Sequence, residues 1–332
     1  MSELSASSPE LILKVMQALA SGDARAPATL AVDLDVDEQA VRAALPRLAD
    51  HGVKQRRDGS LRMPAGFELL DTASIRAVAD DLGQSADVDV RGVVGSTNDV
   101  AKDAIAAGRA LPCLVVAEAQ TAGRGRRGRQ WSSPVAAYLY WSLALELPGG
   151  VQQAQGVSLL VGLAVAEAIE QVVPTRIQLK WPNDLMVDGR KLGGILVELV
   201  QEGERSLLII GVGVNVAMPG YEGAVIDQSW TDLRTLGGTE VSRNRLAGIM
   251  LAVMLRRMQG FLESGLNAAL RREWLQRDPF QGCRVVARSD QQEWRGTAAG
   301  LDVDGALLLE TEAGPVSISA GQVSLRLEHP EA

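Results

Sequence analysis

The segments RIQLKWPND (176–184), KLGGILVELV (191–200) and SLLIIGVGVNV (206–216) decide the fold of this chain. They are apolar runs that are rich in β-branched residues and are separated by polar turns, a pattern typical of buried strands. Two more such runs precede them, PCLVVAEAQ (112–120) and AYLYWSLALEL (137–147). The middle of the chain is therefore predicted to be an α/β (α+β) unit with a mixed sheet.

Helices are predicted to complete the central unit, and a region of short strands follows it. Apolar spacing predicts helices over 157–173, 243–263 and 266–276. From Phe280 the chain alternates short strands with Gly and Asp turns, and five strands in about fifty residues indicate a small β-barrel. We therefore predict a central domain over 84–277 and a C-terminal barrel over 280–328.

The first 66 residues have the pattern of a winged helix-turn-helix domain. Two helices are predicted over 10–24 and 27–34, and a third begins after Asp37 and is kinked at Pro46. A hairpin around Asp58-Gly59 follows. The candidate DNA contacts are Arg42 and Arg47 on the third helix and Arg56 and Arg57 on the hairpin. Acidic residues before the third helix weaken this interpretation, and any three-helix domain would look similar.

Composition excludes several classes of protein. Of 332 residues 46% are hydrophobic and 22% are charged, which is typical of a folded globular chain. A net charge of −8 argues against a general polyanion binder. Two cysteines exclude a disulfide framework and a cysteine-built zinc site, so we expect a cytoplasmic protein. There is no signal peptide pattern, and the longest uncharged stretch is too interrupted to span a membrane.

Histidine is absent from most of the chain. The two histidines are His51 and His329, so residues 52–328 can contain neither a histidine base nor a histidine-ligated metal. Only five lysines occur, and Lys180 and Lys191 lie eleven residues apart in the Gly- and Asn-rich middle. The chemistry of the middle is therefore expected to depend on cations, carboxylates and backbone dipoles.

The segment GRGRRGR (123–129) interleaves four arginines with glycines. Guanidinium groups suit phosphate and carboxylate oxygens, and glycines allow backbone N–H groups to approach an anion. The segment predicts a phosphate-binding loop that a ligand would order. The alternatives are a solvated basic loop and an RNA-binding patch, and the net charge disfavours the latter.

Three other segments carry polar groups at strand ends. Lys180-Trp181-Pro182-Asn183-Asp184 could orient a nucleotide or Mg²⁺, although an ordinary turn would look similar. Ser96-Thr97-Asn98 could hold a small polar ligand, cap a helix, or do both. The segment 211–215 lacks the third glycine of a dinucleotide-binding motif and no helix follows it, so we reject a Rossmann fold.

Taken in order, STN, AEAQTAGRGRRGRQW, KWPNDL, RKLGGILVE and GVGVN resemble the biotin–protein ligases. With its two end domains, the chain is similar to the bacterial bifunctional type, which is both a biotin ligase and a biotin operon repressor. The resemblance implies a biotin/lipoate ligase-like catalytic domain and an SH3-like barrel. It also implies ATP-dependent formation of biotinyl-5′-AMP, then transfer of biotin to a lysine of the biotin carboxyl carrier protein.

The resemblance also implies roles for residues at matching positions. Lys191 and Arg126 would be catalytic, and Asp184 would serve ATP or Mg²⁺. Because no histidine is available there, we ourselves nominate Asp184 as the motif carboxylate that orients or accepts the proton of the attacking lysine, which makes it a third candidate catalytic residue. The biotin-binding residues would be Ser96, Thr97, Asn98, Gln120, Arg124, Gly125, Arg126 and Lys191. The residues at ATP or the adenylate would be Trp131, Lys180, Asn183, Asn215 and Arg326. Gln322 stands where the family commonly has an acidic residue.

Two other functions remain open from the sequence. One is a sensor-repressor that binds biotinyl-AMP with little ligase turnover, and the presence of Lys191, Arg126 and Asp184 together argues against it. The other is a ligase for another acyl group such as lipoate, which the Gly–Arg signature disfavours. The resemblance further implies a homodimer on adenylate binding and contact with biotin operon DNA, but no membrane.

Overall fold

The computed structural model describes residues 8–64, 67–219, 228–237, 241–289, 291–321 and 323–328. They form an N-terminal helical module, a central α/β unit and a C-terminal β-sheet. No helix in these ranges combines the length and the apolar character needed to cross a bilayer. The positions of Gln322 and His329, which the sequence singled out, lie outside the described residues.

The N-terminal module contains four short helices and a hairpin. These elements are α1 (Pro9–Leu19), α2 (Pro27–Leu34), α3 (Glu38–Ala43), α4 (Leu45–Asp50), β1 (Lys54–Gln55) and β2 (Leu61–Arg62). The predicted helix start after Asp37 is confirmed, and Asp37 caps α3 by accepting from the Gln39 N–H at 2.9 Å. The prediction of one kinked helix is wrong. The structure has two helices in this segment, α3 and α4, which meet at Ala44. Pro46 lies in the first turn of α4, where its missing N–H costs no hydrogen bond.

The predicted hairpin is confirmed. β1 and β2 pair antiparallel, with Lys54 opposite Arg62. The turn between them contains Gly59 at φ +83°, a left-handed conformation that glycine adopts without strain. Asp58 accepts from both the N–H and the hydroxyl of Ser60, so the turn is closed by its own side chains.

The connection from the module to the central unit is held by a buried ion pair. Glu118 accepts from the Leu70 N–H at 2.6 Å, and its other oxygen lies 2.6 Å from Arg243 Nη1. Arg243 also donates to the Glu68 carbonyl, and Asn244 donates to the Leu69 carbonyl at 2.9 Å. Helix α5 (Thr72–Asp81), which the sequence did not predict, follows this connection.

The central sheet has seven strands in the order β3-β4-β5-β9-β8-β7-β6. They are β3 (Asp87–Val94), β4 (Cys113–Gln120), β5 (Tyr138–Glu146), β6 (Gln178–Lys180), β7 (Asp184–Val187), β8 (Arg190–Glu202) and β9 (Arg205–Asn215). Only β3 and β4 pair in parallel, which makes the sheet mixed, as predicted. A parallel pair needs a crossover, and helix α6 (Thr97–Ala106) provides it.

Helices cover the two faces of this sheet unequally. Helices α7 (Val157–Glu170) and α8 (Arg243–Ser264) pack together on one face, and α5 packs against α8. This face contains the main hydrophobic core. Helix α6 covers a smaller apolar cluster on the other face, around Ile105, Val115 and Ile209. Polar side chains such as Asn98 lie on this face beside that cluster.

Helix α9 (Ala268–Leu275) leads into five antiparallel C-terminal strands. These strands are β10 (Arg284–Arg288), β11 (Glu293–Leu301), β12 (Leu307–Thr311), β13 (Gly314–Ile318) and β14 (Ser324–Leu327). Their order is β13-β12-β11-β10-β14. Val285 and Leu309 belong to the main core of the central unit, and Trp181 Nε1 donates to the Gly305 carbonyl at 3.2 Å. The C-terminal sheet is therefore packed on the central unit.

Candidate active site

A cleft with a volume of ≈ 1320 Å³ is lined by all three parts of the molecule. It brings together every residue that the resemblance places at biotin or ATP. These residues are Ser96, Thr97, Asn98, Gln120, Arg124, Gly125, Arg126, Trp131, Lys180, Asn183, Asp184, Lys191, Asn215 and Arg326. They come from five strands of the central sheet, the start of α6, two loops and β14. Residues far apart in the sequence thus share one cavity.

A polar network forms around the start of α6. The Gln120 side-chain oxygen accepts from the Thr97 N–H at 2.8 Å and lies 3.2 Å from the Thr97 hydroxyl. The Gln120 amide group donates to the Ser133 hydroxyl at 3.2 Å. Ser96 occupies the N-cap position of α6, but its side chain makes no capping hydrogen bond. The hydroxyl and amide groups are thus fixed by one another beside the cleft.

Ser142 belongs to this network, and the sequence analysis missed it. It is fully buried on β5, and its hydroxyl lies 2.7 Å from Thr97 Oγ1 and 2.6 Å from Asn98 Oδ1. Asn98 in turn donates to Glu198 of β8 at 2.6 Å. The available signal was a serine in the middle of the apolar run AYLYWSLALEL, because a buried hydroxyl needs a partner.

Glycine on β9 makes room for Asn98. A Cβ atom at Gly211 would lie 2.4 Å from Asn98 Oδ1, closer than two such atoms can approach. Glycine at this position therefore lets the Asn98 amide lie directly on the sheet.

Lys191 and Asp184 form an ion pair in the cleft. Lys191 Nζ lies 2.6 Å from Asp184 Oδ1, and Lys180 Nζ is 4.0 Å from Asp184 Oδ2. Burial lowers the pKa of Lys180; the Asp184 charge opposes this shift, and those of Lys191 and Arg326 reinforce it. One carboxylate thus faces two ammonium groups, which leaves positive charge to attract an anion.

Arg126 extends from the Gly–Arg loop to two other parts of the molecule. Its Nη1 donates to Asn183 Oδ1 at 3.4 Å, and its Nη2 contacts the carbonyl oxygens of Ala320 and Gly321. Burial lowers the pKa of its guanidinium group. Arg126 therefore links the loop, the turn after β6 and the C-terminal sheet.

Arg124 of the same loop (residues 123–129) is held by α6 and not by the groups that bind Arg126. Its two terminal nitrogens lie 2.8 and 2.5 Å from the carboxylate oxygens of Asp99, in the first turn of α6. This pairing lowers the pKa of Asp99. The loop also closes on itself, since the Gly125 N–H donates to the Arg129 carbonyl at 2.8 Å. Arg124 fastens the loop to α6 in this arrangement.

Trp131 lies flat on the sheet where two glycines face each other. Gly194 of β8 and Gly213 of β9 are paired, and a Cβ at Gly213 would meet the indole at 2.8 Å. The Trp131 Nε1 atom is buried and has no hydrogen-bond partner among the described residues. Lys191 Nζ lies 5.4 Å from the ring centroid, within cation–π range.

Asn215 and Arg326 occupy different borders of the cleft. Asn215 donates to the Thr231 carbonyl at 2.9 Å and to the Lys191 carbonyl at 3.4 Å, so it fastens the segment after β9 to the Lys191 backbone. Arg326 is exposed on β14. It lines the same cleft as Lys180, and its charge helps to lower the pKa of that ammonium group.

The four candidate DNA contacts fall into two groups. Arg42 is exposed and paired with Glu38 at 2.6 Å, and Arg56 and Arg57 are exposed in the hairpin turn. Arg47 is half-buried and lines the cleft instead. Sequence reasoning could not separate Arg47 from the others.

The cleft is strongly cationic. Eight basic residues line it, namely Arg47, Arg124, Arg126, Arg127, Arg129, Lys180, Lys191 and Arg326. Asp184 is the only acidic residue among the described lining residues. Positive charge concentrated in a cleft of a chain with net charge −8 favours an anionic ligand.

Among its described residues, the cleft contains few side chains that could bind a metal ion. The described ranges contain no group of three or more His, Cys, Asp or Glu side chains that could hold one. Mg²⁺ that arrives with a nucleotide needs only one or two carboxylates, because phosphate oxygens and water supply the other ligands. Asp184 and the amide of Asn183 fit that requirement.

Comparison with known proteins identifies the class to which this fold and site belong. Residues 92–215 match the Biotin/lipoate A/B protein ligase family, and residues 281–326 match the Biotin protein ligase C terminal domain. The chain is 35% identical over 317 residues to the bifunctional ligase/repressor BirA of Salmonella typhimurium and 34% identical to that of Escherichia coli. Each alignment covers 95% of this chain and 97% of the relative. The chain belongs to the biotin protein ligase family.

A solved structure supports the same assignment. The biotin protein ligase from Aquifex aeolicus, in complex with biotin and ATP, superposes with a TM-score of 0.63 at 28% identity. The match covers 74% of this chain and 100% of that one.

Proposed function

We propose that the protein is an ATP-dependent biotin–protein ligase. It joins biotin to ATP, which gives biotinyl-5′-AMP and pyrophosphate, and passes the biotinyl group to a lysine of the biotin carboxyl carrier protein of acetyl-CoA carboxylase. The observation that carries this proposal is the Lys191–Asp184 pair in a cationic cleft that also holds Arg126 and the Thr97–Gln120 network. The match to the Biotin protein ligase C terminal domain and the Aquifex aeolicus enzyme solved with biotin and ATP support the choice of biotin as the acyl group.

The first step needs cations rather than a base. A biotin carboxyl group with a pKa of about 4–5 is ionised at neutral pH. Its oxygen attacks the α-phosphorus of ATP, the bond to pyrophosphate breaks, and the main obstacle is repulsion between two anions. We assign Lys191 to the carboxylate and α-phosphate and Arg126 to the reacting phosphate, because both side chains line the cleft.

The polar residues would orient the two substrates. We assign the biotin head group to Ser96, Thr97, Asn98 and Gln120, with Arg124 and Gly125 in the loop that closes over it. Trp131 would cover the adenylate. ATP would be bound by Lys180, Asn183, Asn215 and Arg326. Mg²⁺ bound with the nucleotide at Asn183 and Asp184 would neutralise phosphate charge.

The second step needs a deprotonated amine on the carrier. An unperturbed lysine has a pKa of about 10.4, so deprotonation at neutral pH costs roughly 4 kcal/mol. The nitrogen then attacks the carbonyl carbon of the adenylate, and AMP leaves. We assign Asp184 to this step because no other acidic residue was found among the described lining residues. Its contact with Lys191 favours orientation over acceptance of the proton. An Asp184→Asn variant with normal adenylate formation and normal transfer would contradict this role.

The test is to incubate the protein with biotin and MgATP and to measure biotinyl-AMP by mass spectrometry. We expect the wild-type protein to form it and a Lys191→Ala variant to form far less. Biotin binding without adenylate would favour a sensor-repressor with little turnover. Adenylation of lipoate in preference to biotin would identify a ligase for another acyl group.

We further propose that the N-terminal module is a winged helix-turn-helix domain and the C-terminal sheet an SH3-like barrel. The helices of the module, its hairpin and the exposed Arg56 and Arg57 support DNA binding. The word repressor in the names of two relatives supports biotinyl-AMP-dependent repression of biotin biosynthesis genes. We propose a homodimer that forms on adenylate binding, and a cytoplasmic location in keeping with two free cysteines.

The repressor function has its own test. Sedimentation with and without biotinyl-AMP measures dimer formation, and a gel shift with the biotin operator measures DNA binding. An Arg56→Ala/Arg57→Ala variant should lose DNA affinity and keep adenylate formation. DNA binding equal to that of the wild type would contradict a role for the hairpin.

A further inference from the structure

The polar network beside the cleft continues behind it to a carboxylate on β8. Thr97 and Asn98 line the cleft, whereas Glu198 is not among the described residues that do. Glu198 Oε2 accepts from Asn98 Nδ2 at 2.6 Å, and Glu198 Oε1 lies 2.8 Å from Lys102 Nζ. The carboxylate therefore binds a residue of the cleft wall on one side and an ammonium group on the other.

Glu198 determines which way the Asn98 amide is turned. An ionised carboxylate only accepts hydrogen bonds, so the group that faces it must be the amide nitrogen. The amide oxygen is then left for Ser142, whose hydroxyl oxygen lies 2.6 Å away. A Cβ at Gly211 would lie 2.4 Å from the same amide oxygen. The glycine thus lets the Asn98 amide lie where it does, and the carboxylate selects its orientation.

The orientation of Asn98 sets the direction of two further hydrogen bonds. An amide oxygen can only accept, so Ser142 must give its one hydroxyl proton to Asn98. Towards Thr97, whose hydroxyl oxygen lies 2.7 Å away, the Ser142 oxygen can then only accept. The other acceptor for the Thr97 proton, Gln120 Oε1, is farther away at 3.2 Å. The Thr97 hydroxyl is therefore left with lone pairs that can accept from a ligand.

Gln120 is oriented in the same sense by separate partners. Its Oε1 atom accepts from the Thr97 N–H at 2.8 Å. Its Nε2 atom donates to Ser133, whose hydroxyl proton goes to the Trp131 carbonyl at 3.0 Å. Because Thr97 and Gln120 both line the cleft, this part of its wall offers oxygen acceptors. Acceptors suit a ligand that carries N–H donors, such as the ureido ring of biotin.

We propose that Glu198 is a positioning residue for biotin, which acts through Asn98, Ser142 and Thr97. Its carboxylate sets the direction of this chain of hydrogen bonds, so that the Thr97 hydroxyl accepts from a ureido N–H of the substrate. The proposal rests on the ligase function proposed above and assigns part of the selection of the acyl group to a residue behind the cleft. Lipoate, whose dithiolane ring has no N–H group, gains nothing from this arrangement.

Glu198→Gln reverses the chain and keeps the shape of the side chain. Lys102 can only donate, so it should bind the new amide oxygen and leave the new amide nitrogen facing Asn98. Asn98 must then turn over, and the hydroxyl groups behind it must reverse. The Thr97 proton then goes either to the cleft or to Gln120, and in both cases the cleft wall loses one acceptor.

Calorimetric titration measures this loss without turnover. Glu198→Gln should raise the Kd for biotin about tenfold, the effect of losing one hydrogen bond, and leave the KM for MgATP in pyrophosphate release within about twofold. Glu202→Gln is the matched control, because Glu202 ends the same strand and pairs with Arg205, outside the network. Equal Kd values for biotin in the two variants would overturn the proposal.

Two further backgrounds separate a directing role from a structural one. In a Lys102→Met background the new amide can turn either way, so Glu198→Gln should raise the biotin Kd by less than about threefold. Ser142→Ala cuts the chain, so it should raise the biotin Kd by itself and leave little for Glu198→Gln to add. A tenfold loss from Glu198→Gln in every background would show that Glu198 only supports the cleft wall, and the proposal would be wrong.

The same measurements separate this proposal from the ligase function. A wild-type protein that binds biotin but forms no biotinyl-AMP would contradict the ligase function, and the Kd ratio of Glu198→Gln to Glu202→Gln would still decide the role of Glu198. A wild-type protein that adenylates lipoate and does not bind biotin would overturn both. If Glu198→Gln raises the KM for MgATP as much as the Kd for biotin, the substitution disturbs the whole cleft and the proposal fails.

Discussion

The ion pair between Arg243 and Glu118 and the one between Lys191 and Asp184 both have an N···O distance of 2.6 Å. Their surroundings differ. The side chains of the first pair are 6% and 4% exposed, and their remaining hydrogen-bonding atoms bind the backbone between the module and the central unit. The side chains of the second pair are 18% and 19% exposed and line the ligand cleft.

The difference lies in the balance of charge around each pair. Glu118 and Arg243 neutralise each other and leave no charge to attract a ligand. Asp184 is faced by Lys180 as well as Lys191, so positive charge remains for an anion to neutralise. The distance within an ion pair therefore does not separate a structural pair from one prepared for a substrate, whereas the count of charges around it does.

The largest expected effect comes from breaking the buried pair. Glu118→Ala leaves the Arg243 cation buried without its partner, which should lower the free energy of unfolding by about 3–5 kcal/mol. Chemical denaturation measures it. The matched variant replaces both residues, Glu118→Leu with Arg243→Met, and should recover much of the loss because no charge is left unpaired. Equal destabilisation by the single and double variants would contradict this account.

Breaking the pair in the cleft should affect activity rather than stability. Lys191→Ala removes the cation assigned to the carboxylate and α-phosphate, and the rate of adenylate formation should fall about 10²–10³-fold. Its free energy of unfolding should change by less than about 1 kcal/mol, since the side chain is hydrated at the cleft. If Lys191→Ala destabilised the protein as much as Glu118→Ala does but formed adenylate at the normal rate, the Lys191–Asp184 pair would be structural and this account would be wrong.

A buried titratable residue of the module, His51, should make the stability of the protein depend on pH. Burial, with the charges of Arg243 and Arg234, lowers the pKa of His51 to about 4. The unfolded chain therefore binds the proton first, so this stabilising contribution is complete above about pH 6.5 and is lost as the pH falls towards 4. The wild-type protein should lose about 2–3 kcal/mol from this source between about pH 7 and pH 4.5.

His51→Gln is the control for this pH dependence. Asp278 has the opposite dependence, because burial raises its pKa to about 6, but it is present in both proteins and cancels in the comparison. Denaturation at several pH values should give parallel curves for the two proteins above about pH 7 and diverging curves below it. Parallel curves down to pH 4.5 would show that His51 does not titrate as described.

The smallest effect is expected from a third pair of the same length. Arg42 and Glu38 are also 2.6 Å apart, but their side chains are 54% and 38% exposed. Solvent screens such a pair, so Arg42→Ala should change the free energy of unfolding by less than about 0.5 kcal/mol. A loss near that of Glu118→Ala would mean that distance rather than burial sets the strength of these pairs.

Much of the fold could be predicted because its signals are local. Apolar runs marked the strands β4, β5, β6, β8 and β9, and the Asp58-Gly59 turn marked the hairpin. The break between α3 and α4 was missed because Pro46 fits the first turn of a new helix as well as it kinks an old one. Helix α5 was missed because Ile75 and Ala79 are its only buried residues, so its apolar face is narrow.

The site residues were predictable from the motifs that carry the family resemblance, but their partners were not. Fourteen of these residues line one cleft, and no local sequence pattern shows that they come together there. Ser142 and Glu198 complete the network around Asn98 from strands far away in the sequence, so only the pairing of the sheet reveals them. Arg47 faces the cleft because the module packs on β3 and Val135, a contact between elements that periodicity cannot foresee.

The placement of Trp131 has a further consequence for how this molecule can be observed. Of the six tryptophans, Trp131, Trp181 and Trp230 line the cleft, although Trp181 is almost fully buried, while Trp141 and Trp274 are buried away from it. The indole of Trp131 lies against an ammonium group and two glycines, surroundings that an entering anion must change. Its emission is a built-in optical reporter, so ligand entry can be timed in the unlabelled protein.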